Sequence, residues 1–286
     1  MRLSVILPCR NAAATLEEQL GALARQQRPP FEVVAVDNGS TDRTPALLQG
    51  YRDRMPSLRV VEAGPPHSAA HARNRGVAAA TGEAFAFCDA DDEVHPGWAG
   101  AMADALARHD VVASRVDDSR LNAGRAGAIW DSSNDPTPGF VVFLGFLPAA
   151  SGCGFGFTRR AWDAIGPFDE SFQRLEDIDY SWRAHFAGFP IHYAHDAVVY
   201  YRYRASLGGT WRQCVAEGRY EARLYEKYRS RGMAWRPLRQ AAGDWGRLVR
   251  SLPALRRPDG RALWIKCAGS ATGHVAGSIR HRVLAL

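Results

Sequence analysis

The sequence predicts an α/β fold in which a mainly parallel central sheet is flanked by helices and followed by a helical C-terminal appendage. Three observations lead to this prediction. Short apolar segments alternate with helix signals through residues 1–115, polar residues collect where those segments end, and a basic amphipathic stretch closes the chain. Such alternation favours parallel strands joined by right-handed helical crossovers. Open sheets of this kind bind their ligands at the carboxyl ends of the strands.

The first half of the chain has the clearest strand and helix signals. Apolar runs predict four strands, over 3–7, 31–36, 58–62 and 85–88. Three helices are predicted between them, over 15–26, from Thr44 onwards, and over 69–82. The first begins with a capping box that opens at Thr15, and the second has Thr44 as N-cap before Pro45.

The second half is less regular. Helices are predicted over 97–108, 176–186 and 212–231, and strands over 110–116 and 197–203. Residues 117–139 are polar and contain glycine, which is typical of a mobile loop. Residues 140–157 are apolar and include Gly152 and Gly154. In the tail, apolar residues at intervals of three and four predict one apolar helical face, made of Trp235, Leu238, Ala242, Trp245, Val249 and Leu252.

Composition narrows the class of protein. The chain has 286 residues, of which 46% are hydrophobic and 23% charged, as expected for a globular protein with one large core. Its five scattered cysteines include no CxxC pair, which favours a reducing compartment and argues against a thiolate metal site. The apolar start is too short for a signal peptide, and no run reaches the roughly 18 apolar residues of a membrane span. We therefore expect a cytoplasmic protein.

The net charge of +6 is unevenly distributed. Residues 231–286 hold eleven basic and two acidic side chains, whereas residues 1–230 hold 25 and 28. All but two of the basic residues are arginine, a bias that genome composition also produces. Because no recognisable nucleic-acid module is present, we expect no nucleic-acid partner.

The apolar run at 84–88 ends in three carboxylates, Asp89, Asp91 and Asp92. Acidic side chains one residue apart can share a hard divalent cation such as Mg²⁺, which often keeps phosphate oxygens as further ligands. The alternative is an acidic turn that caps the helix beginning near Pro96. The motif alone favours that alternative.

Four sequence blocks favour the cation site over the acidic turn. In their order and spacing they resemble family 2 glycosyltransferases, which have the GT-A fold with a Rossmann-like sheet. The blocks are 4–11 (SVILPCRN), 33–42 (VVAVDNGSTD), 72–76 (ARNRG) with 89–92 (DADD), and 175–183 (LEDIDYSWR). They span about residues 3–205. The resemblance implies inverting transfer of a sugar from a nucleotide-diphosphate sugar (a UDP-, GDP- or dTDP-sugar), assisted by Mn²⁺ or Mg²⁺, to a glycan, glycolipid or small-molecule acceptor.

The resemblance also implies roles for the donor-binding residues. It places a group of residues around the donor nucleotide: Pro8, Arg10, Asn11, Asp37, Asn38, Arg73, Asp89, Ala90 and Asp91. Asp37 would accept a hydrogen bond from the nucleobase, Arg73 would pair with phosphate, and Asp89 and Asp91 would hold the cation. Simpler interpretations stay open, because Asp-Asn-Gly also favours an Asx turn and an arginine on an exposed helix is usually only solvated.

The block at 175–183 contributes the acceptor side of the expected site. Asp177 matches the family's general base and lies in the first turn of a predicted helix, where acidic residues are also common without catalytic roles. Glu176 and Asp179 are expected to orient the acceptor, the loop or Arg183, and Asp92 is a further candidate. The preceding Gly166–Glu170 segment, GPFDE, also resembles the family.

The sequence departs from the family near 198–204. Many relatives have a metal-binding histidine there, but this chain has Val-Val-Tyr-Tyr-Arg-Tyr-Arg. The third protein ligand is then absent or replaced by Tyr200 or Tyr201. Arg202 and Arg204 would instead meet the diphosphate, or would simply be exposed arginines on a strand.

The expected organisation is a catalytic domain at 1–230 and a basic helical extension at 231–286. Within the first, residues 1–115 would bind the nucleotide sugar and 116–230 the acceptor. The extension would lie on the inner face of the cell membrane, or else pack on the catalytic domain or a second subunit. Two other functions stay open, a non-catalytic nucleotide-sugar-binding module and a nucleotidyltransferase. The second would need a glycine-rich, lysine-containing loop, which 8–15 lacks.

Overall fold

The computed structural model describes residues 1–122, 141–235 and 238–284, so most of the predicted loop at 117–139 lies outside the described residues. The described residues form two compact units. The first contains residues 1–122 and 141–202, and the second contains residues from 203 onwards. The predicted functional division at residue 230 stays a prediction.

The first unit is built on one large sheet. The described strands are β1 (Leu3–Cys9), β2 (Glu32–Asp37), β3 (Leu58–Glu62), β4 (Ala84–Cys88), β5 (Glu93–Val94), β6 (Val111–Asp117), β7 (Val141–Phe143), β8 (Leu147–Ala149), β9 (Gly154–Thr158) and β10 (Ile191–Tyr200). The sheet has the order β3-β2-β1-β4-β9-β6-β10-β5, while β7 and β8 form a separate hairpin. The pairs β1–β2, β2–β3, β1–β4 and β6–β10 are parallel. The predicted α/β class with helices around a central sheet is confirmed.

Helices connect these strands and form most of the second unit. Those described are α1 (Leu16–Ala24), α2 (Thr44–Tyr51), α3 (Ala69–Ala79), α4 (Trp98–Leu106), α5 (Arg159–Ile165), α6 (Glu176–Phe186), α7 (Leu207–Tyr228), α8 (Leu238–Arg250) and α9 (Pro258–His281). The predictions for α3, α4 and α6 are confirmed, and α6 begins and ends at the predicted residues.

Local signals misled the prediction in several places. The capping box at Thr15 is wrong, because its hydroxyl donates to the Ala12 and Ala90 carbonyls and caps no helix N–H. Thr44 is the first residue of α2 and not its N-cap; its hydroxyl accepts from the Ala12 N–H. The strand predicted from 197 begins at Ile191, so His192 and His195 lie within it. Helix α9 was not predicted, since its glycine-rich sequence has a weak helical signal.

The core lies on both faces of the sheet. Every residue of β4 is buried, as expected for a strand covered on both faces. Phe87 of β4 stacks on Phe155 of β9, and Tyr180 of α6 packs against Phe157. Full burial of each such ring contributes about 1.5–3 kcal/mol. This packing fixes β4, β9 and α6 relative to one another, and the acidic residues discussed below follow β4 directly or lie on α6.

The strand order locates the binding edge. From β1 the chain moves outward to β2 and β3, and then returns to place β4 on the other side of β1. The connections therefore diverge between the carboxyl ends of β1 and β4. Such a switch point leaves a crevice between loops, and this is where open α/β sheets bind ligands.

The second unit is a helical assembly in which α7 and α9 lie very close. A Cβ added at Gly277 would lie 2.7 Å from the Ala222 Cβ, and one added at Gly218 would lie 3.0 Å from the Gly273 Cα. Gly269, Gly273 and Gly277 recur at four-residue spacing along α9, and each faces α7, so these small residues permit the close contact. In the described ranges no helix is long and apolar enough to cross a membrane.

Candidate active site

The loops after β1 and β2 are fastened together on one side of the switch point. The Asn11 backbone N–H donates to Ser40 Oγ at 3.0 Å, and Asn11 Oδ1 accepts from the Thr41 N–H at 2.8 Å. Asn11 has a φ of +49°, a conformation that asparagine tolerates better than most residues. Pro8, at the end of β1, is partly buried. This pairing builds a rigid rim where the nucleobase pocket is predicted.

Asp37 and Asn38 lie at the base of this rim, and both are buried. Asp37 Oδ1 accepts from the Ser40 N–H, three residues further on, at 3.3 Å, so this carboxylate stabilises the turn that follows β2. Asn38 donates from Nδ2 to the Ser68 carbonyl at the start of α3. Arg10 is exposed, and its guanidinium donates to the His67 carbonyl at 3.3 Å. Nucleobase recognition by these residues stays a prediction.

The acidic loop after β4 forms the other side of the switch point. Asp89, Asp91 and Asp92 each offer one carboxylate oxygen, and the three oxygens lie within 4.8 Å of one another. Helix α1 holds the loop from below, because Gln19 donates to the Asp89 carbonyl and Thr15 to that of the buried Ala90. An all-carboxylate donor set suits a hard cation such as Mg²⁺ or Mn²⁺. The residues present therefore fit the predicted ion.

Arg202 braces the acidic loop from the end of β10. Its backbone N–H donates to Asp92 Oδ1 and its Nε to the Asp91 carbonyl, both at 2.8 Å, while its Nη2 pairs with Glu18. Arg204 belongs to the second unit, where its Nε donates to Gln213 Oε1 at 3.2 Å. The predicted contact of these arginines with a diphosphate stays a prediction. In the described part of the chain, neither His192 nor His195 lies close enough to the three aspartates to share a metal ion with them.

Arg73 connects the acidic loop with α6. The alternative interpretation of Arg73, a solvated arginine on an exposed helix, does not hold, since Arg73 is only 2% exposed. Its Nη2 lies 3.0 Å from Asp89 Oδ1 and donates to the Gly152 carbonyl, and its Nη1 pairs with Glu176. Burial opposes the charge of Arg73, but the carboxylates of Asp89, Glu176 and Asp177 outweigh burial and raise its pKa. A buried guanidinium thus joins the acidic loop after β4 to α6, the helix that carries the predicted base.

Asp177 lies in the first turn of α6, where two backbone donors fix its carboxyl group. Its Oδ2 accepts from the Gly152 N–H at 2.6 Å and its Oδ1 from the Ile178 N–H at 2.9 Å. Burial, followed by repulsion from Glu176, raises the pKa of Asp177 to about 7, even though Arg73 acts in the opposite direction. General bases work best when their pKa lies near the working pH. The neighbouring Asp179 pairs with Arg183 at 3.0 Å, which is one of the roles that the sequence left open for it.

Sequence reasoning missed the importance of Gly152. A Cβ added there would lie 2.8 Å from Arg73 Nη2 and 3.0 Å from Asp177 Oδ2. Only a residue without a side chain lets the backbone reach both groups at once. The glycine in an otherwise apolar run was the available signal, because such a glycine often marks a close approach of the backbone to another group.

Comparisons with solved structures define the class of fold. A mannosyltransferase from Pyrobaculum calidifontis, solved with GDP-Man and Mn²⁺, superposes with a TM-score of 0.63 over 96% of this chain and 86% of that one, at 18% identity. TarS 1–349 from Staphylococcus aureus, solved with UDP, gives 0.58 over 99% and 92%, at 21% identity. These neighbours show that the fold is the GT-A fold.

Sequence comparisons define the family. The model of the family described as "Glycosyl transferase family 2" matches residues 4–166, which is more than half of the chain. AglE, a glycosyltransferase of Haloferax volcanii, is 26% identical over 68% of this chain and 65% of its own length. YibD, an uncharacterized glycosyltransferase of Escherichia coli, is 37% identical over 57% and 46%. The match thus spans only about half to two thirds of these relatives. The chain belongs to glycosyltransferase family 2.

Proposed function

We propose that this glycosyltransferase moves a sugar from a nucleotide-diphosphate sugar to an acceptor hydroxyl with inversion, with Asp177 as general base. The observation that carries the proposal is the link made by Arg73. One buried guanidinium contacts both Asp89 of the cation-binding loop and Glu176 beside Asp177. A site for the leaving diphosphate and a site for proton removal are therefore held next to each other, as a direct displacement requires.

The chemistry follows from these groups. Asp177 takes the proton of the acceptor hydroxyl as its oxygen attacks the anomeric carbon, and the bond from that carbon to the diphosphate breaks. A single displacement on the face opposite the leaving group inverts the configuration. Asp89 and Asp91, with Asp92 beside them, would hold a divalent cation, which supplies charge stabilisation for the departing diphosphate. The residues around Asp37 would bind the nucleobase and orient the donor.

The hydrogen bonds to Asp177 support its role as base. The Gly152 and Ile178 N–H groups fix the direction of the carboxyl group, while burial and Glu176 raise its proton affinity. A fully exposed aspartate with an ordinary pKa would be a weak base at neutral pH. Asp177 is thus adapted to accept a proton and not merely to cap α6.

Relatives suggest the kind of acceptor. One is named a PGL/p-HBAD biosynthesis glycosyltransferase, from Mycobacterium tuberculosis, with 30% identity over 63% of this chain. Another is named validoxylamine A glucosyltransferase, with 42% identity over 30%. We infer a lipid-linked, cell-envelope or secondary-metabolite acceptor. We place the reaction in the cytoplasm at the inner face of the membrane, in keeping with five cysteines that form no disulfide.

A donor screen tests this function. Purified protein is incubated with UDP-, GDP- and dTDP-sugars, with Mn²⁺ or with EDTA, and released nucleoside diphosphate is measured with and without glycolipid and small-molecule acceptors. We expect release from one nucleotide class, stimulated by an acceptor, with the product in the opposite anomeric configuration. Tight donor binding without release for any acceptor would favour the non-catalytic module, and a retained configuration would exclude Asp177 as a simple base.

A further inference from the structure

The second unit carries exposed apolar side chains on α8, on the short segment that follows it and on the beginning of α9. Among its apolar residues, Trp245 is 42% exposed, Val249 65%, Leu252 46% and Leu263 60%. Together with the arginines between them, we name these residues the α8 surface. Isolated exposed apolar side chains are common, but four within nineteen residues, from the second half of α8 to the beginning of α9, require an explanation.

The exposed apolar side chains of α8 are not the ones that the helix uses to pack within the second unit. Helix α8 already buries a different set of side chains, Ala241 and Leu248, and the Trp264 indole donates to the Leu248 carbonyl at 3.0 Å. Trp245 and Val249 are four residues apart and project beside that buried face. The helix therefore presents apolar side chains both to α9 and to solvent.

Arginines surround the exposed apolar residues. Arg247, Arg250, Arg256, Arg257 and Arg261 are all exposed and fall between Trp245 and Leu263. Arg247 pairs with Asp244. In the described part of the chain, no ion pair engages Arg250, Arg256 or Arg257. The whole segment 231–286 carries a charge of +9, from eleven basic and two acidic residues.

We propose that the α8 surface binds the face of an anionic lipid bilayer, with Trp245, Val249, Leu252 and Leu263 entering the interface and the arginines contacting lipid phosphates. Charge complementarity selects this occupant. A second copy of the chain would bring two strongly basic segments together, and nucleic acid would leave the aliphatic side chains without a partner. An anionic bilayer matches both the arginines and the apolar residues, and tryptophan suits the boundary between water and lipid.

The proposal concerns where the enzyme works and does not depend on which sugar or acceptor it uses. It also gives a physical reason for the charge asymmetry of the chain, since residues 1–230 carry −3 and would not be attracted to the same surface. Binding by a few apolar side chains plus electrostatic attraction is reversible and sensitive to salt.

Vesicle sedimentation with the full-length protein tests the proposal. We expect binding to phosphatidylcholine vesicles containing phosphatidylglycerol, little binding to pure phosphatidylcholine, and loss of binding at high salt. Each basic side chain near an anionic surface strengthens binding about fivefold, so Arg256→Gln with Arg257→Gln should weaken it by more than tenfold. Trp245→Ser with Val249→Ser should weaken it by at least as much and remove any blue shift of tryptophan fluorescence on vesicle addition.

Two controls keep the test specific. Arg75→Gln alters an exposed arginine of the first unit, and Ile279→Ser alters an apolar residue that is 76% exposed outside the α8 surface. Both should bind vesicles like the wild type. The proposal is overturned if the wild type does not bind, if the variants bind equally well, or if binding ignores lipid charge. Dimerisation that the Trp245→Ser, Val249→Ser protein loses would also overturn it, by showing that a second copy covers the surface.

Discussion

Substituting Asp177 by asparagine separates a catalytic carboxylate from a structural one. The side chain keeps its size but can no longer accept a proton. A general base contributes about 10²–10⁴-fold to the rate, equivalent to roughly 2.7–5.5 kcal/mol of activation free energy. We expect turnover to fall by this factor, while donor affinity stays close to that of the wild type, because the nucleotide is held by other residues.

The structure also limits the effect of this change on stability. Both carboxylate oxygens of Asp177 accept a backbone hydrogen bond, and asparagine can reproduce only one of the two. The lost bond would cost about 1 kcal/mol in the free energy of unfolding. A rate loss that clearly exceeds this cost cannot come from partial unfolding, so the two measurements together assign the role.

The assay compares released nucleoside diphosphate at saturating donor with donor dissociation constants and urea unfolding curves. Asp163→Asn is the matched control, since Asp163 is an exposed carboxylate on α5 outside the site. It should leave turnover and stability unchanged. Wild-type turnover in Asp177→Asn would refute the assignment and move attention to Glu176, the neighbouring carboxylate.

Three further predictions concern pH, the cation and Gly152. Because Asp177 must be ionised and its pKa lies at about 7, kcat/KM should rise about tenfold per pH unit below 7 and level off above it; a flat profile between pH 5.5 and 8 would contradict this. Asp91→Asn should lose most Mn²⁺- or Mg²⁺-stimulated activity with an unchanged thermal unfolding midpoint, whereas a wild type fully active in EDTA would exclude a metal role for Asp91. Gly152→Ala should lower turnover strongly and cost about 1–3 kcal/mol of stability, because the new Cβ meets Arg73 and Asp177. Gly50→Ala, where an added Cβ meets nothing within 4 Å, is its control, and equal activity of the two variants would refute the role of Gly152.

The parts of the structure that depend on local patterns were predictable from the sequence. Each of the strands β1 to β4 contains a short apolar run, and the acidic residues follow β4 directly, so both the sheet and its binding edge could be predicted. The pairing of Asp179 with Arg183 was also predictable, because residues four apart meet on one face of a helix.

What depends on contacts distant in sequence was not predictable. Arg73 looks like a solvated helical residue until β4 and α6 bring Asp89 and Glu176 to either side of it, 16 and 103 residues away along the chain. Likewise, Gly152 reads only as an irregularity, and the antiparallel insertion of β9 between β4 and β6 has no signature in hydrophobic periodicity. At Thr15 a local motif gave a wrong prediction. The sequence matches a capping box, but the Thr15 hydroxyl donates to the distant Ala90 carbonyl and does not cap the helix.

The most direct test of the central claim is a calorimetric titration of the protein with UDP, GDP and dTDP, with and without Mn²⁺. We predict that one of the three nucleotides binds, that Mn²⁺ strengthens its binding by at least tenfold, and that Asp91→Asn removes this strengthening but leaves weak metal-independent binding. Failure of all three nucleotides to bind at millimolar concentration in the presence of Mn²⁺ would contradict the assignment of the switch point between β1 and β4 as a nucleotide-sugar site.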